Sequence, residues 1–395
     1  MRYRIETERE NLFDVNMVIA MRVRIEGEIV FEQLEKAFRK AVASYEILNS
    51  RVVIEDNGDA YYVDCNDPAS SFTLSGLGFE ELINANEKVR FKIEEGEYIR
   101  GFLSPDGLVF LMHHLGGDGK SFLYFIESFM RIVSGEEPSF VPFANLRTED
   151  LPDNSRLPYL YRLFVRSWNR KWLKIRRVFE FGDMERAYGD FWKTHKTKIV
   201  IEEYGKEQLD ELLSMTKAAG CSLTSYLTAQ WIKGMPCKAD VGYAVDGRLD
   251  DARTMGNFAT GIHINYRYAP NKSVCENALR INALMKRKLS DPRCLYSVLH
   301  LIGGFDPALI DTLSLEAAGY YHTKTTARFA DVMNYGRKKK DISITNLMRA
   351  DICTDYGNLR IKDIAFVPPV VSYGRNLIGI ITVNDTMIVT RHVYK

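Results

Sequence analysis

Two adjacent histidines, His113 and His114, run directly into Leu115-Gly116-Gly117-Asp118-Gly119 in a chain that holds only seven histidines. Imidazole titrates near neutrality, so an uncharged ring held at the end of a rigid strand can accept a proton there, which is what a general base requires. Gly116, Gly117 and Gly119 let the backbone turn sharply and leave room for a substrate, and Asp118 can anchor the turn by pairing with a cation elsewhere. Three other readings compete. A metal site built from His113, His114 and Asp118 is disfavoured, because neighbouring side chains on a strand point to opposite faces. The tail Gly119-Lys120-Ser121 resembles that of a phosphate loop, but the first glycine of that motif falls on His114, which rejects it. A histidine pair that only hydrogen-bonds in a core stays open on the residues alone.

The elements around the pair must hold it in place. Leu108 to Met112 form an unbroken apolar run, which fits a central strand buried on both faces. After Gly119, the apolar positions Phe122, Leu123, Phe125, Ile126, Phe129, Met130 and Val133 follow a helical period up to Ser134-Gly135. The order is strand, glycine-rich turn, helix. Upstream, Met17, Ile19, Met21, Val23 and Ile25 alternate as in a strand, and a helix with one buried stripe begins at Phe31. Residues 51–54, 60–63 and 100–103 read as further strands. Downstream, strands are expected at 198–201, 241–245, 262–266, 342–345, 361–366, 378–383 and 387–391, with Asn384-Asp385 as a hairpin turn. Helices are expected at 206–219, 222–233 and 274–289. Both halves mix strands and helices without strict βαβ alternation.

The stretch His113-His114-x-x-x-Asp118-Gly119 resembles the motif of the chloramphenicol acetyltransferase-like superfamily, which includes condensation domains, alcohol O-acetyltransferases and polyketide-associated acyltransferases. Asp246-Gly247-Arg248 with Gly256-Asn257-Phe258, and Ser343-Ile344-Thr345-Asn346, are similar to later elements of that family. The resemblance implies an α/β (α+β) fold of two similar αβ sandwich halves meeting at an interdomain tunnel. It further implies an acyltransferase in which His114 is the general base and His113 and Gly119 support the turn. Asp118 would be structural and paired with Arg248, although Asp246 and Arg248 could instead form a local salt bridge. Gly117, Thr345 and Asn346 are the candidates for stabilising an oxyanion or lining the channel. The Asp-Phe-Gly-Trp-Gly element of the family's plant branch is missing. Expected co-substrates are acyl-CoA, or a thioester on a separate acyl carrier protein, and a small-molecule acceptor with a hydroxyl. The alternatives are a free-standing condensation enzyme that forms an amide, and a catalytically silent docking module.

The division expected along the chain is 1–140 for the half with the histidines, 141–196 for a connecting segment, and 197–395 for the second half. Within the connection, residues 159–179 form a basic amphipathic segment. Leu160, Phe164, Trp168, Trp172, Ile175 and Phe179 share one face, with Arg162, Arg166, Arg170, Lys174 and Arg177 on another. Such a helix either packs its tryptophans on the protein or makes peripheral contact with an anionic membrane. The 53 basic and 52 acidic residues nearly cancel, so no global field recruits nucleic acid. Six cysteines are scattered singly and no pair has metal or redox spacing, so no metal is expected. With no secretory leader pattern at the start, the cytoplasm is the expected compartment.

Overall fold

The apolar run before the histidine pair becomes the strand Gly107–His113, buried at every residue but its first. In this computed structural model, which describes residues 1–335 and 339–395, it lies near the middle of a six-stranded sheet. The order across that sheet is Asp355–Tyr356, Leu359–Val367, Val18–Glu26, Gly107–His113, Ile99–Ser104 and Ser71–Leu74. Helices Phe31–Ser44 and Gly119–Val133 pack together against it, through aromatic contacts such as Phe38 with Phe125 and Phe110 with Phe129.

A second six-stranded sheet runs Ala259–Tyr266, Ala239–Asp246, Ile342–Arg349, Asn376–Val383, Thr386–Tyr394 and Thr197–Tyr204. Ile342–Arg349 pairs in parallel with both neighbours, while the hairpin Asn376–Val383 to Thr386–Tyr394 closes at Asn384, whose φ of 52° is the left-handed conformation asparagine tolerates. The two faces of these strands serve two cores. Ile378, Ile380, Met387 and Val389 pack with Ile232 and Ile281 of the second-half helices, whereas Ile381, Val383 and Ile388 join the core of the first sheet. A strand buried on both faces carries apolar residues on both, and Ile378 to Val383 does so with Thr382 as its one polar side chain.

The linear division at 140 and 196 does not coincide with sheet membership. Leu359–Val367, well inside the span assigned to the second half, pairs antiparallel with Val18–Glu26 and completes the first sheet. The architecture is two sheet-rich halves, with a C-terminal segment crossing from one to the other.

Among the described residues five helices go beyond the sequence expectation: Phe79–Asn86, Phe181–Thr194, Pro292–Gly304, Pro307–Ala317 and Lys324–Val332. Pro307–Ala317 is buried on eight of its eleven residues, so it has no polar face to produce a helical period. Its start signal was nonetheless present, because Asp306 caps it and proline occupies the first turn, as Asp291 and Pro292 do for the preceding helix. Among the described residues no single helix is long and apolar enough to cross a membrane. The pair Pro292–Gly304 and Pro307–Ala317 meets the length and composition test only together, across a bend of 104°.

Candidate active site

Val18 opposes His113 at the end of the strand pair, and one further bond, from the His114 amide to the Met17 carbonyl (2.8 Å), fixes the backbone of the second histidine. The two rings then diverge, as the pleat requires. His113 is buried against Phe91, its Nδ1 accepts from the Leu115 amide at 3.2 Å, and burial with the nearby charges of His114, Arg90 and Arg100 lowers its pKa to about 3. It is a neutral structural ring. His114 is half-buried and borders a cavity of about 620 Å³ lined by residues from both halves. Its Nδ1 is sealed and lacks a hydrogen-bond partner, and its Nε2 makes no bond to the described protein. Burial lowers the His114 pKa, and the negative charge of Asp118, followed by the ring's own backbone carbonyl, opposes that shift. At neutral pH the ring is therefore uncharged, with a nitrogen available to the cavity.

Asp118 faces away from this cavity. It caps Gly119–Val133 by accepting from the Ser121 amide at 2.8 Å, and accepts from the Phe258 amide at 3.0 Å. Arg248 grips both its oxygens, Nη1 to Oδ2 at 2.9 Å and Nη2 to Oδ1 at 3.2 Å, and also donates to Ser121 Oγ at 2.6 Å. The local bridge coexists with the long-range one: Asp246 Oδ1 lies 2.9 Å from the same Nη1, and Asp246 Oδ2 lies 3.0 Å from Lys120 Nζ. The guanidinium plane rests 4.3 Å from the centre of the Phe258 ring. Gly256 completes the joint, its carbonyl accepting from the Asp118 amide and from Ser121 Oγ. A side chain there would collide with the Ala144 carbonyl oxygen, so only glycine lets the loop approach. The network staples the 246–258 loop of the second half onto the helix that follows the histidines.

Of the residues singled out in the sequence, His114, Asn257, Ser343, Ile344 and Thr345 border the cavity. Gly117 and Gly119 pack instead against Ser121, Met112 and Leu347, and the Gly116 and Asp118 amides are already bonded to the His113 and Gly256 carbonyls. Asn346 reaches the other way, donating to Thr224 Oγ1 at 2.9 Å. Asn257 does line the cavity, its Oδ1 occupied by the Ala259 amide. Ser343 shares the strand face of Thr345, and its buried Oγ has no partner. Sequence reasoning did not find Glu10, Tyr335 and Lys340, which line another part of the same wall with Tyr373, noted in the sequence only as a remnant of the Asp-Phe-Gly-Trp-Gly element. Tyr335 donates to Glu10 Oε2 at 2.8 Å, and Lys340 lies over the Tyr373 ring. They come from loops remote in sequence, and no motif or period marks such residues. Among the described residues no group of three or more His, Cys, Asp or Glu is placed to hold a metal ion.

No family model matches the chain, and no curated protein matches it. Solved structures do share its fold. The trichothecene 15-O-acetyltransferase of Fusarium sporotrichioides superposes with a TM-score of 0.64 at 11% identity, over 99% of this chain and 90% of its own. Polyketide synthase associated protein 5 of Mycobacterium tuberculosis gives 0.62 at 15% identity, over 99% and 92%. The first condensation domain of the CDA synthetase gives 0.62 at 13% identity, over 98% and 87%. The fold is thus the one shared by condensation domains and chloramphenicol acetyltransferase-like enzymes.

Proposed function

We propose that this chain is an acyltransferase that moves an acyl group from a thioester to the hydroxyl of a small or lipid-like acceptor, with His114 as general base. The observation that carries the reading is the position of that ring: uncharged, partly exposed, at the wall of a cavity built by both halves. A volume of about 620 Å³ is within the usual range for small-molecule sites. The acceptor oxygen attacks the thioester carbonyl while its proton passes to His114 Nε2, forming the new C–O bond. The tetrahedral intermediate then collapses, the C–S bond breaks, and the proton moves from Nε2 to the departing sulfur, leaving an ester and a free thiol. Thr345, Ser343 and Asn257 are among the side chains at the cavity wall that can donate to the developing oxyanion, a contribution of about 3 kcal/mol where one such donor is well placed. His113, Asp118 and Arg248 act by holding the turn and the two halves in register. Acyl-CoA is the donor we favour, and a carrier-bound thioester presents the same reacting group.

The test is thiol release from a panel of acyl-CoA and acyl-carrier thioesters with mixed alcohol and amine acceptors, run beside His114→Ala. Loss of about 100-fold or more in the variant is expected for a positioned general base. Unchanged turnover in His114→Ala would refute the assignment, and turnover only with amines would move the chain to amide formation.

A further inference from the structure

Between Asp153 and Glu180 the chain carries eight basic residues and no acidic one, although its net charge is only +1. Part of this segment is the helix Tyr159–Trp172. Its inner face holds Val165, Trp168 and Trp172, with Trp168 against Phe329 and half-buried Phe164 against Phe305. Leu160, expected on that inner face, is instead 75% exposed, and Phe179 is buried beyond the helix end. Leu160 is accompanied in solvent by Tyr159, Tyr161, Leu163, Leu173 and Ile175. Arg162, Arg166, Arg170 and Lys174 lie among them, all exposed, and among the described residues none has an acidic partner.

We propose that this helix and the turn to Ile175 form a docking surface for an anionic lipid bilayer, set at the mouth of the His114 cavity. Charge complementarity selects an anionic occupant. The arrangement of the apolar groups selects a membrane over an acidic protein. A protein interface concentrates apolar groups at its centre and excludes charge from it. Here Arg166 and Arg170 sit between Leu160 and Leu173, whose exposed side chains lie about 20 Å apart along the axis. That is the pattern of a helix lying in the plane of a bilayer, its leucines among the acyl chains and its arginines reaching the phosphates. Continuity with the catalytic cavity supplies the purpose: Leu157, Pro158 and Tyr161, at the start of the helix, line the same cavity as His114. An apolar substrate can pass from the bilayer to the base without crossing bulk water. This last step rests on the acyl-transfer reading, while the docking does not.

The experiment is co-sedimentation of the full chain with phosphatidylcholine vesicles, alone or with about a third of the lipid as phosphatidylglycerol. Binding is expected only to the anionic vesicles and is expected to fall as salt is raised. Arg166→Gln/Arg170→Gln is expected to weaken partitioning about 25-fold, at roughly fivefold per charge removed. Leu160→Gln/Leu173→Gln weakens it with the salt dependence retained. Exposed helix positions accept glutamine, and unchanged thermal melting verifies that each variant is folded. His114→Ala is expected to bind vesicles as wild type does, so loss of the catalytic assignment and loss of the docking assignment have separate readouts. The proposal is overturned by absence of binding to anionic vesicles at low salt, by variants that bind like wild type, or by capture of soluble polyglutamate in preference to vesicles.

Discussion

Removing the Asp118 carboxylate with Arg248 left in place strands a guanidinium whose side chain is 3% exposed. Breaking a buried pair in this way costs about 3–5 kcal/mol, and the lower end applies here because Asp246 remains 2.9 Å from Nη1. The same carboxylate caps the helix through the Ser121 amide, worth about 1 kcal/mol more. Asp118→Ala is therefore expected to lose about 4 kcal/mol, a large share of the stability of an ordinary domain. Asp118→Asn removes the charge and keeps an acceptor for one of the two amides, which are held on different oxygens. In a cycle of Asp118→Asn, Arg248→Met and the double variant, followed by urea unfolding, the double variant is expected to be more stable than the summed singles by about 2 kcal/mol. Additivity within about 0.5 kcal/mol would show that the two groups do not interact, and the staple between the halves would have to be abandoned. A kinetic readout separates this structural role from an electrostatic one. The charge of Asp118 holds the His114 pKa up, so Asp118→Asn lowers it and moves the acid limb of kcat/KM to lower pH. A loss of geometry alone would reduce the plateau and leave the limb in place.

Two further predictions concern stability. His113 has its pKa lowered to about 3 by burial and its neighbours, whereas in the unfolded chain it titrates near 6.5. Below about 6.5 the unfolded state binds the extra proton, so the ring's contribution is complete above that pH and is lost as pH falls toward about 3, by up to about 1.4 kcal/mol per pH unit. Glu8, Glu10 and Asp14, raised by burial, act in the opposite sense, so the ring's share is read as the difference in urea midpoint between wild type and His113→Asn at pH 7 and pH 5; equal pH dependence in both would contradict it. Gly256→Ala forces the loop away from the Ala144 carbonyl and loosens the bonds that its own carbonyl accepts from Asp118 and Ser121. A fall in Tm of several degrees is expected, consistent with about 2 kcal/mol, and an unchanged melt would mean that the loop is not held there.

The parts of the fold that were legible in the sequence are those where one face meets water or a turn marks the end. The helix from Phe31, the strand through Leu108 to Met112 and the Asn384 hairpin are of that kind. What was not legible has two physical causes. Pro307–Ala317 is enclosed on nearly all sides and carries no period, although its aspartate and proline announced it. Leu359–Val367 has the pattern of a strand, but nothing in a local pattern says which of two sheets a strand will join; that is decided by pairing with Val18–Glu26, more than 300 positions away. The site divides in the same way. The histidines and Asp118 are marked by type and spacing, Arg248 only by the family resemblance, and the structure shows the ion pair between Asp118 and Arg248 across 130 positions. Gly117 and Asn346 are close in sequence to cavity residues yet face elsewhere, because a turn or one step along a strand reverses the direction of a side chain.

The separation of Asp118 from the cavity has a consequence for the proposed chemistry. In a charge-paired histidine, a carboxylate on the far nitrogen stabilises the imidazolium and makes the ring a stronger base. Here the nearest carboxylate is committed to Arg248 and two backbone amides, and the Nδ1 of His114 is sealed without a partner. The ring is thus a weaker base than a free imidazole and, once protonated, a stronger acid. A weak base takes an alcohol proton only as the C–O bond forms, so attack and proton transfer must occur together. A strong acid readily returns that proton to a thiolate, whose own affinity for it is near pKa 8.5. The balance favours a donor whose leaving group is sulfur, and it predicts that an oxygen ester of the same acyl group, whose alkoxide needs the proton earlier and more completely, is a poor donor. Comparable turnover of matched thioester and ester donors would show that the ring's acidity does not govern the second half of the reaction.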